Sequence, residues 1–238
     1  CPPLPYLIGL ATGANTGSVA TLVGNPQNML CASLGSLDYG RYAALMIPVA
    51  IAGLAINHGV LLLLHRRDLA GDLPRASGRP SVINRRIFAT LAVIAGTTAL
   101  YLVGFDLAWS AVAGFTALLV LHRRDGAEVW PRIEWSVLLF FASLFIVVAA
   151  LTKSGIPAAL FERFPLGGGL GEMSAIFLVG SNVVSNVPFI LVVRAEVAAL
   201  ADPELGWTVL AMASTFAGNL TLLGSVANVI VAERARDV

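Results

Sequence analysis

The chain has 238 residues, 57% of them hydrophobic and 12% charged, with a formal net charge of +1 and a mean hydropathy of +0.82. Soluble domains carry roughly a quarter charged residues, so the composition excludes that class and points to an all-α, polytopic integral membrane protein. The near-neutral charge is segregated into loops and gives no sign of a nucleic-acid surface; the lipid bilayer is the expected partner, and no nucleic acid is expected. Cys1 and Cys31 have neither metal-ligand nor disulfide-framework spacing. The chain opens without a basic-then-apolar leader pattern and reads as a piece of a longer protein.

The first predicted element, residues 6–33, is long enough to span but is interrupted by Asn15, Thr16, Asn25, Pro26, Gln27 and Asn28. Pro26 lacks the donor a regular helix needs. Gly9, Gly13 and Gly17 fall on one helix face and predict a small-residue packing stripe. A plain span is expected at 42–64, with His58 making an interior hydrogen bond. The linker 65–86 carries Arg66, Arg67, Arg75, Arg79, Arg85 and Arg86 against Asp68 and Asp72. That excess of arginine places it in the cytoplasm.

Spans follow at 87–104 and 107–121, joined by a tight turn at Phe105 and Asp106. Trp130 and Trp135 are expected as interfacial anchors for the next span, 135–151. A short stretch at 156–164 is expected along the outer surface, and the glycine-rich run 166–171 as a turn. Residues 172–200 comprise two apolar arms, each too short to cross, around Ser181, Asn182, Ser185, Asn186 and Pro188. This describes a re-entrant hairpin; the alternative is one kinked span. Only the hairpin leaves Arg234 and Arg236 on the cytoplasmic side. The last element, 207–232, is again an interrupted span, broken at Thr215–Asn219.

The two interrupted spans share a pattern. Thr21-Leu22-Val23-Gly24 followed by Asn28 recurs as Thr221-Leu222-Leu223-Gly224 followed by Asn228. With the arginine-rich loops inside, the two copies cross the membrane in opposite senses, which is an inverted-topology repeat. The chain therefore divides into the end of a first repeat (1–64), the linker (65–86) and a second repeat (87–238). A first hairpin before residue 1 and a final helix after residue 238 are expected in the parent protein.

Non-helical backbone at membrane depth survives only when buried in protein or lining a watery cavity. Secondary transporters build their sites from such breaks, using half-helix dipoles and neutral oxygens. The candidate substrate- and ion-binding residues are accordingly Asn15, Thr16, Gly17, Thr21, Gly24, Asn25 and Asn28 in the first break. Ser181, Asn182, Ser185, Asn186 and Pro188 are the candidates at the hairpin tip. Thr215, Gly218, Asn219, Thr221, Gly224 and Asn228 are those in the second break. Carboxylates are absent from the plain spans, which suits coupling to Na⁺ through neutral oxygens. Asn15, Ser185, Asn186 and Asn219 are the candidate Na⁺ ligands, and no other cofactor is expected. Proton coupling through the first hairpin stays open. A membrane-embedded enzyme would need paired Asp, a Ser–His dyad or a His-Glu-x-x-His cluster, and none is present.

The run Ala14–Gly17 through Thr21–Asn28 resembles the Ala-Asn-x-Gly and Gly-Asn-Pro-Gln-Asn motif of the ion transporter superfamily. That superfamily includes citrate-transporter-like permeases, arsenite permeases, sodium/proton antiporter relatives and divalent-anion/sodium symporters. Ser181–Pro188 is similar to its second hairpin tip, and Ser214–Asn228 to its second broken helix. The resemblance implies two pseudo-symmetric repeats, a cation site in each, a substrate between the hairpin tips and a homodimer. It implies ion-coupled, alternating-access transport of a small anion or metalloid oxyanion across the plasma membrane, or alternatively Na⁺/H⁺ exchange. Ser185 and Asn186 match the family's Ser-Asn-Thr tip. Val187 stands for the Thr, departing from the dicarboxylate-binding pattern and agreeing with the arsenite-permease and citrate-like branch.

Overall fold

The computed structural model describes residues 3–69, 85–123, 126–133 and 135–235. Most of the arginine-rich linker, including Arg75 and Arg79, lies outside them, as do Arg236 and the side chains of Arg85 and Arg234. The described residues contain helices and turns and no strand. They belong to two compact units, Cys1–Asp72 with Ser143–Val238, and Leu73–Ala142.

In the first unit, α1 (Leu4–Ser18) and α2 (Pro26–Gly35) are the arms of the first interrupted span. At 1.5 Å per residue, α1 is about 22 Å long, short of the roughly 30 Å hydrocarbon core. The break lies at 19–25, so Asn15 and Thr16 are helical rather than part of the interruption. Their side chains act sideways, across to the other copy, and leave their own backbone ladder intact. Next, α3 (Tyr39–Leu69) contains Pro48 and a kink at His65. It is long and apolar enough to cross a membrane unaided. Its buried stripe of Tyr42, Met46 and Ala50 follows helical spacing. His58 falls beside that stripe and is exposed, so the expected interior hydrogen bond is not made among the described residues. The glycine stripe of α1 is only partly used. A Cβ on Gly9 would lie 3.3 Å from Leu61 of α3, whereas Gly13 and Gly17 face open space.

The same unit resumes within α7 (Trp135–Lys153), whose Leu138–Lys153 stretch meets α8 (Ile156–Arg163) at a 67° bend. Gly155, at φ +76°, makes the corner. The glycine-rich run then turns into α9 (Leu170–Val184), and α10 (Asn186–Ala198) follows after the single residue Ser185. Phe177 and Phe189 meet edge to face with centroids 6.2 Å apart. On one continuous helix they would be separated by about 18 Å of rise, so the arms fold back as a hairpin. Bulk is excluded where they meet, because a Cβ on Gly180 would run into the Phe189 ring. The second interrupted span is α11 (Pro203–Ala217) and α12 (Val226–Arg234). Its break, 218–225, includes a 3-10 turn at Leu222–Gly224 and starts later than the composition suggested. Thr215 and Phe216 complete the last turn of α11. Val19, Leu22, Phe177, Ile190, Val193 and Leu210 are fully buried in this unit.

The second unit contains α4 (Arg85–Leu102), α5 (Leu107–Leu121) and the short α6 (Gly126–Val129). Asp106 caps α5 by accepting from the Trp109 N–H at 2.9 Å. Thr90 bonds His122 at 3.0 Å, and Gly114 lies against Thr97. As numbers rise in α4 their partners fall in α5, so the pair is antiparallel. The Trp130 and Trp135 rings meet at a tilt with centroids 4.7 Å apart, and both are exposed.

Candidate functional site

A helix end leaves carbonyls or N–H groups without partners, and in a bilayer water is not there to serve them. Each break therefore creates a local demand for donors and acceptors. In the first break, Pro26 opens α2 without needing its absent donor, and Asn25 caps the helix by accepting from the Asn28 N–H at 2.7 Å. The Asn28 amide then reaches back to the carbonyls of Ser18 and Thr21, both at 3.0 Å. Gly24 permits this fold-back, because a Cβ there would collide with the Ser18 carbonyl.

The second break repeats the arrangement. Ser225 caps α12 by accepting from the Ala227 N–H at 3.2 Å. The Asn228 amide donates to the carbonyls of Gly218 at 2.7 Å and Thr221 at 3.0 Å. A Cβ on Gly224 would lie 2.8 Å from the Thr221 hydroxyl and 3.2 Å from the Ala217 carbonyl.

The two breaks also bond each other. Asn15 donates to Asn228 Oδ1 and Asn219 Oδ1, each at 3.0 Å, and accepts from the Ser225 hydroxyl at 2.7 Å. Thr215 donates to Asn28 Oδ1 at 2.9 Å and accepts from the Asn25 amide at 2.9 Å. Asn219 donates to the Thr16 hydroxyl at 3.0 Å. Partner numbers fall in one copy as they rise in the other, so the copies run antiparallel. Asn15, Thr16, Asn28, Thr215 and Asn228 are buried in this network.

The hairpin tip joins the second break. Asn186 donates to the Gly224 carbonyl at 2.9 Å, and Thr221 donates to Asn182 Oδ1 at 3.2 Å. Ser185 is exposed with φ +79° and ψ 152°, an unusual backbone for a residue with a Cβ. Pro188 lies buried in the first turn of α10. Among the described residues, the buried oxygens Ser181 Oγ and Asn186 Oδ1 have no hydrogen-bond partner.

These contacts bring the three sequence motifs into one polar cluster, with different degrees of occupancy. Both side-chain donors of Asn15, Asn28 and Asn228 are engaged, and so is each of their oxygens. Asn186 Oδ1 and Ser181 Oγ remain open acceptors. Gly17 takes no part through its Cα face, which looks onto open space. Ser225, absent from the sequence-based candidates, is a full member. It occupies the place of Asn25 in the other copy, and carrying the repeat register through position 25 would have identified it. Cys31 is a buried free thiol outside the cluster. Electrostatically, α2, α10 and α12 bring helix N-termini here while α1, α9 and α11 bring C-termini. Partial charges of both signs therefore converge without an ionised side chain.

This fold and site define a class: all-α integral membrane proteins whose helices break in polar segments related by an inverted repeat. A family described as citrate transporter (CitMHS) matches residues 1–236, and the chain belongs to that family. It is 30% identical to the silicon efflux transporter LSI3 of Oryza sativa subsp. japonica, over 99% of this chain and 64% of that protein. It is 27% identical to a 46 kDa membrane protein of Mycobacterium leprae, over 98% of this chain and 60% of that one. An arsenical pump membrane protein of Yersinia enterocolitica is 24% identical over 79% of this chain and 48% of its own length. The family and the first of these relatives are described as transporters. The chain spans about three fifths of the length of the first two of these relatives.

Proposed function

We propose that the full-length protein is an ion-coupled secondary transporter of a small anion or metalloid oxyanion, working by alternating access in the plasma membrane. The observation that carries this reading is the pair of helix breaks bonded to each other in antiparallel register, with the hairpin tip lodged against one of them. A structural protein has no use for discontinuous helices in hydrocarbon, whereas a transporter needs the open backbone they provide. The relatives that act on silicon and on arsenicals support a small, hydroxylated solute. So does the chemistry of the cluster, which offers amides, hydroxyls and helix ends rather than ionised side chains.

In this reading the network around Asn15, Asn28 and Asn228 holds the two breaks in register. Ser181 Oγ and Asn186 Oδ1, the open acceptors, supply neutral oxygens to a coupling cation such as Na⁺, with Ser185 and Asn219 at the edge of the same site. The N-termini of α10 and α12 face the solute. The repeat boundaries 1–64 and 87–238 around the linker 65–86, a first hairpin supplying the other half of the site, and a homodimer belong to the same proposal.

The test is flux of the purified full-length protein in liposomes, screened with arsenite, silicate, citrate and sulfate under imposed Na⁺ and H⁺ gradients. Flux of one solute that collapses in Asn186→Ala and Asn219→Ala is expected. Undiminished flux in both variants overturns the site assignment, and the absence of flux for every solute and gradient overturns the transport reading.

A further inference from the structure

A cavity lies apart from the residues of the polar cluster, lined by α2, α7 and α10. It has a volume of about 400 Å³ and is bounded by Leu30 of α2, Phe145, Ala149 and Lys153 of α7, and Leu191 and Arg194 of α10. That volume is within the range of small-ligand sites. Its chemistry is mixed. Lys153 is the last residue of α7, and Arg194 is little more than a turn from the end of α10. Phe145 and Ala149 lie on the same face of α7 as Lys153, at helical spacing, and Phe145 is about 12 Å further along the axis. The cavity thus carries two cations, each near the C-terminal end of its helix, and an otherwise mainly apolar lining. Both cations are exposed, and neither takes part in an ion pair among the described residues.

We propose that this cavity binds an anionic phospholipid, with the phosphate on Lys153 and Arg194 and an acyl chain along Phe145, Ala149 and Leu191. An inorganic anion or a carboxylate would use the cations but would gain nothing from a wall of apolar side chains. A neutral lipid would use the wall but leave the two cations without a counter-charge. Only an anionic amphiphile matches both features. Basic pockets between membrane helices take acidic headgroups for this reason. The bound lipid would touch the second arm of the hairpin, α2 of the first broken span and α7 at once, bracing the elements that carry the polar cluster without entering it.

The experiment uses the full-length protein in a neutral detergent, titrated with dioleoyl phosphatidylglycerol or dioleoyl phosphatidylcholine. Lipid retained on the protein is read by native mass spectrometry, and the thermal unfolding midpoint is read in parallel. Phosphatidylglycerol is expected to be retained in preference and to raise the midpoint. At about fivefold per cation, Lys153→Gln with Arg194→Gln should reduce that preference by roughly twenty-five-fold. Ala149→Trp, which fills space along the apolar lining and leaves both charges, should reduce phosphatidylglycerol retention as well. Free sn-glycerol 3-phosphate should give no protection. Equal retention of the two lipids overturns the proposal, as does a preference that survives the paired Gln substitutions or Ala149→Trp. Protection by glycerol 3-phosphate equal to that by the lipid also overturns it, because the site would then be one for a soluble phosphate. Both substituted cations are exposed, so the Gln variants are expected to fold.

Discussion

Asn28 and Asn228 make the same two bonds. Each donates its side-chain amide to the carbonyls ten and seven residues before it, across a break in its own helix. Each then accepts at its oxygen from the residue at place 215 or 15 of the opposite copy. A single amide thereby satisfies the open end of one helix and ties that helix to its inverted partner.

Replacing either amide exposes the arrangement. Asn28→Ala or Asn228→Ala strands two carbonyls in a medium without water, and each stranded group costs on the order of 1–3 kcal/mol. Both variants should unfold at markedly lower temperature in detergent. A double-mutant cycle between Asn28→Ala and Thr215→Ala should yield a coupling of on the order of 1 kcal/mol. Purely additive effects would show that the contact across the two copies contributes nothing to stability.

Two glycines of the same chain should respond in opposite ways. Gly24→Ala places a methyl against the Ser18 carbonyl and forces the fold-back open, whereas Gly13→Ala adds a methyl to empty space. Helix propensity alone favours the second change by about 1 kcal/mol. Thermal midpoints of the two variants, purified side by side, check this. An equal loss in both would rule out close packing at Gly24.

Ser181 and Asn186 separate stability from activity. Removing a buried hydroxyl that has no partner relieves a desolvation cost, so Ser181→Ala should leave the unfolding midpoint unchanged or raise it slightly. If its oxygen serves the coupling cation, the same variant should raise the half-saturating cation concentration for flux severalfold. Asn186→Ala should fail on both measures, because its amide also holds the Gly224 carbonyl. A Ser181→Ala protein with wild-type cation dependence would remove Ser181 from the ion site.

The ion pair of Arg41 with Glu204, at 3.0 Å, lies on exposed side chains. Solvent screening keeps such pairs at roughly 0–1 kcal/mol. Arg41→Ala should therefore move the midpoint little, and the small difference should vanish as salt is raised. A large, salt-insensitive loss would mean that Arg41 packs rather than pairs.

Much of this was legible in the residue order. Interruptions by Asn, Pro and Gly inside apolar runs mark broken helices, because no bilayer helix tolerates them without compensation. A recurring Thr-Leu-x-Gly with Asn after it marks the repeat. The arms of the hairpin are each too short to cross. Other features were not legible. Asn15 and Thr16 read as part of the interruption, yet they remain helical because their bonding partners lie in the other copy. His58 reads as an interior residue, but its place on α3 depends on which face meets α1. Ser225 has no local distinction as a lone serine and is found in the sequence only through the repeat register that pairs it with Asn25. Its bond to Asn15 shows what it does there.

The sequence by itself determined the class, the inverted repeat and the three polar motifs, since these depend on composition, length and spacing along the chain. Tertiary structure alone decided which amides are already occupied and which oxygens remain open. That distinction depends on partners two hundred residues away, and no local pattern encodes it. Asn15 and Asn186 look alike in the sequence, a polar residue beside a break. In the fold, Asn15 is bonded at its oxygen and both its donors, while the oxygen of Asn186 lies buried and without a partner among the described residues. The difference arises because hydrogen-bond capacity is local to a side chain, whereas its satisfaction depends on what the fold brings within reach.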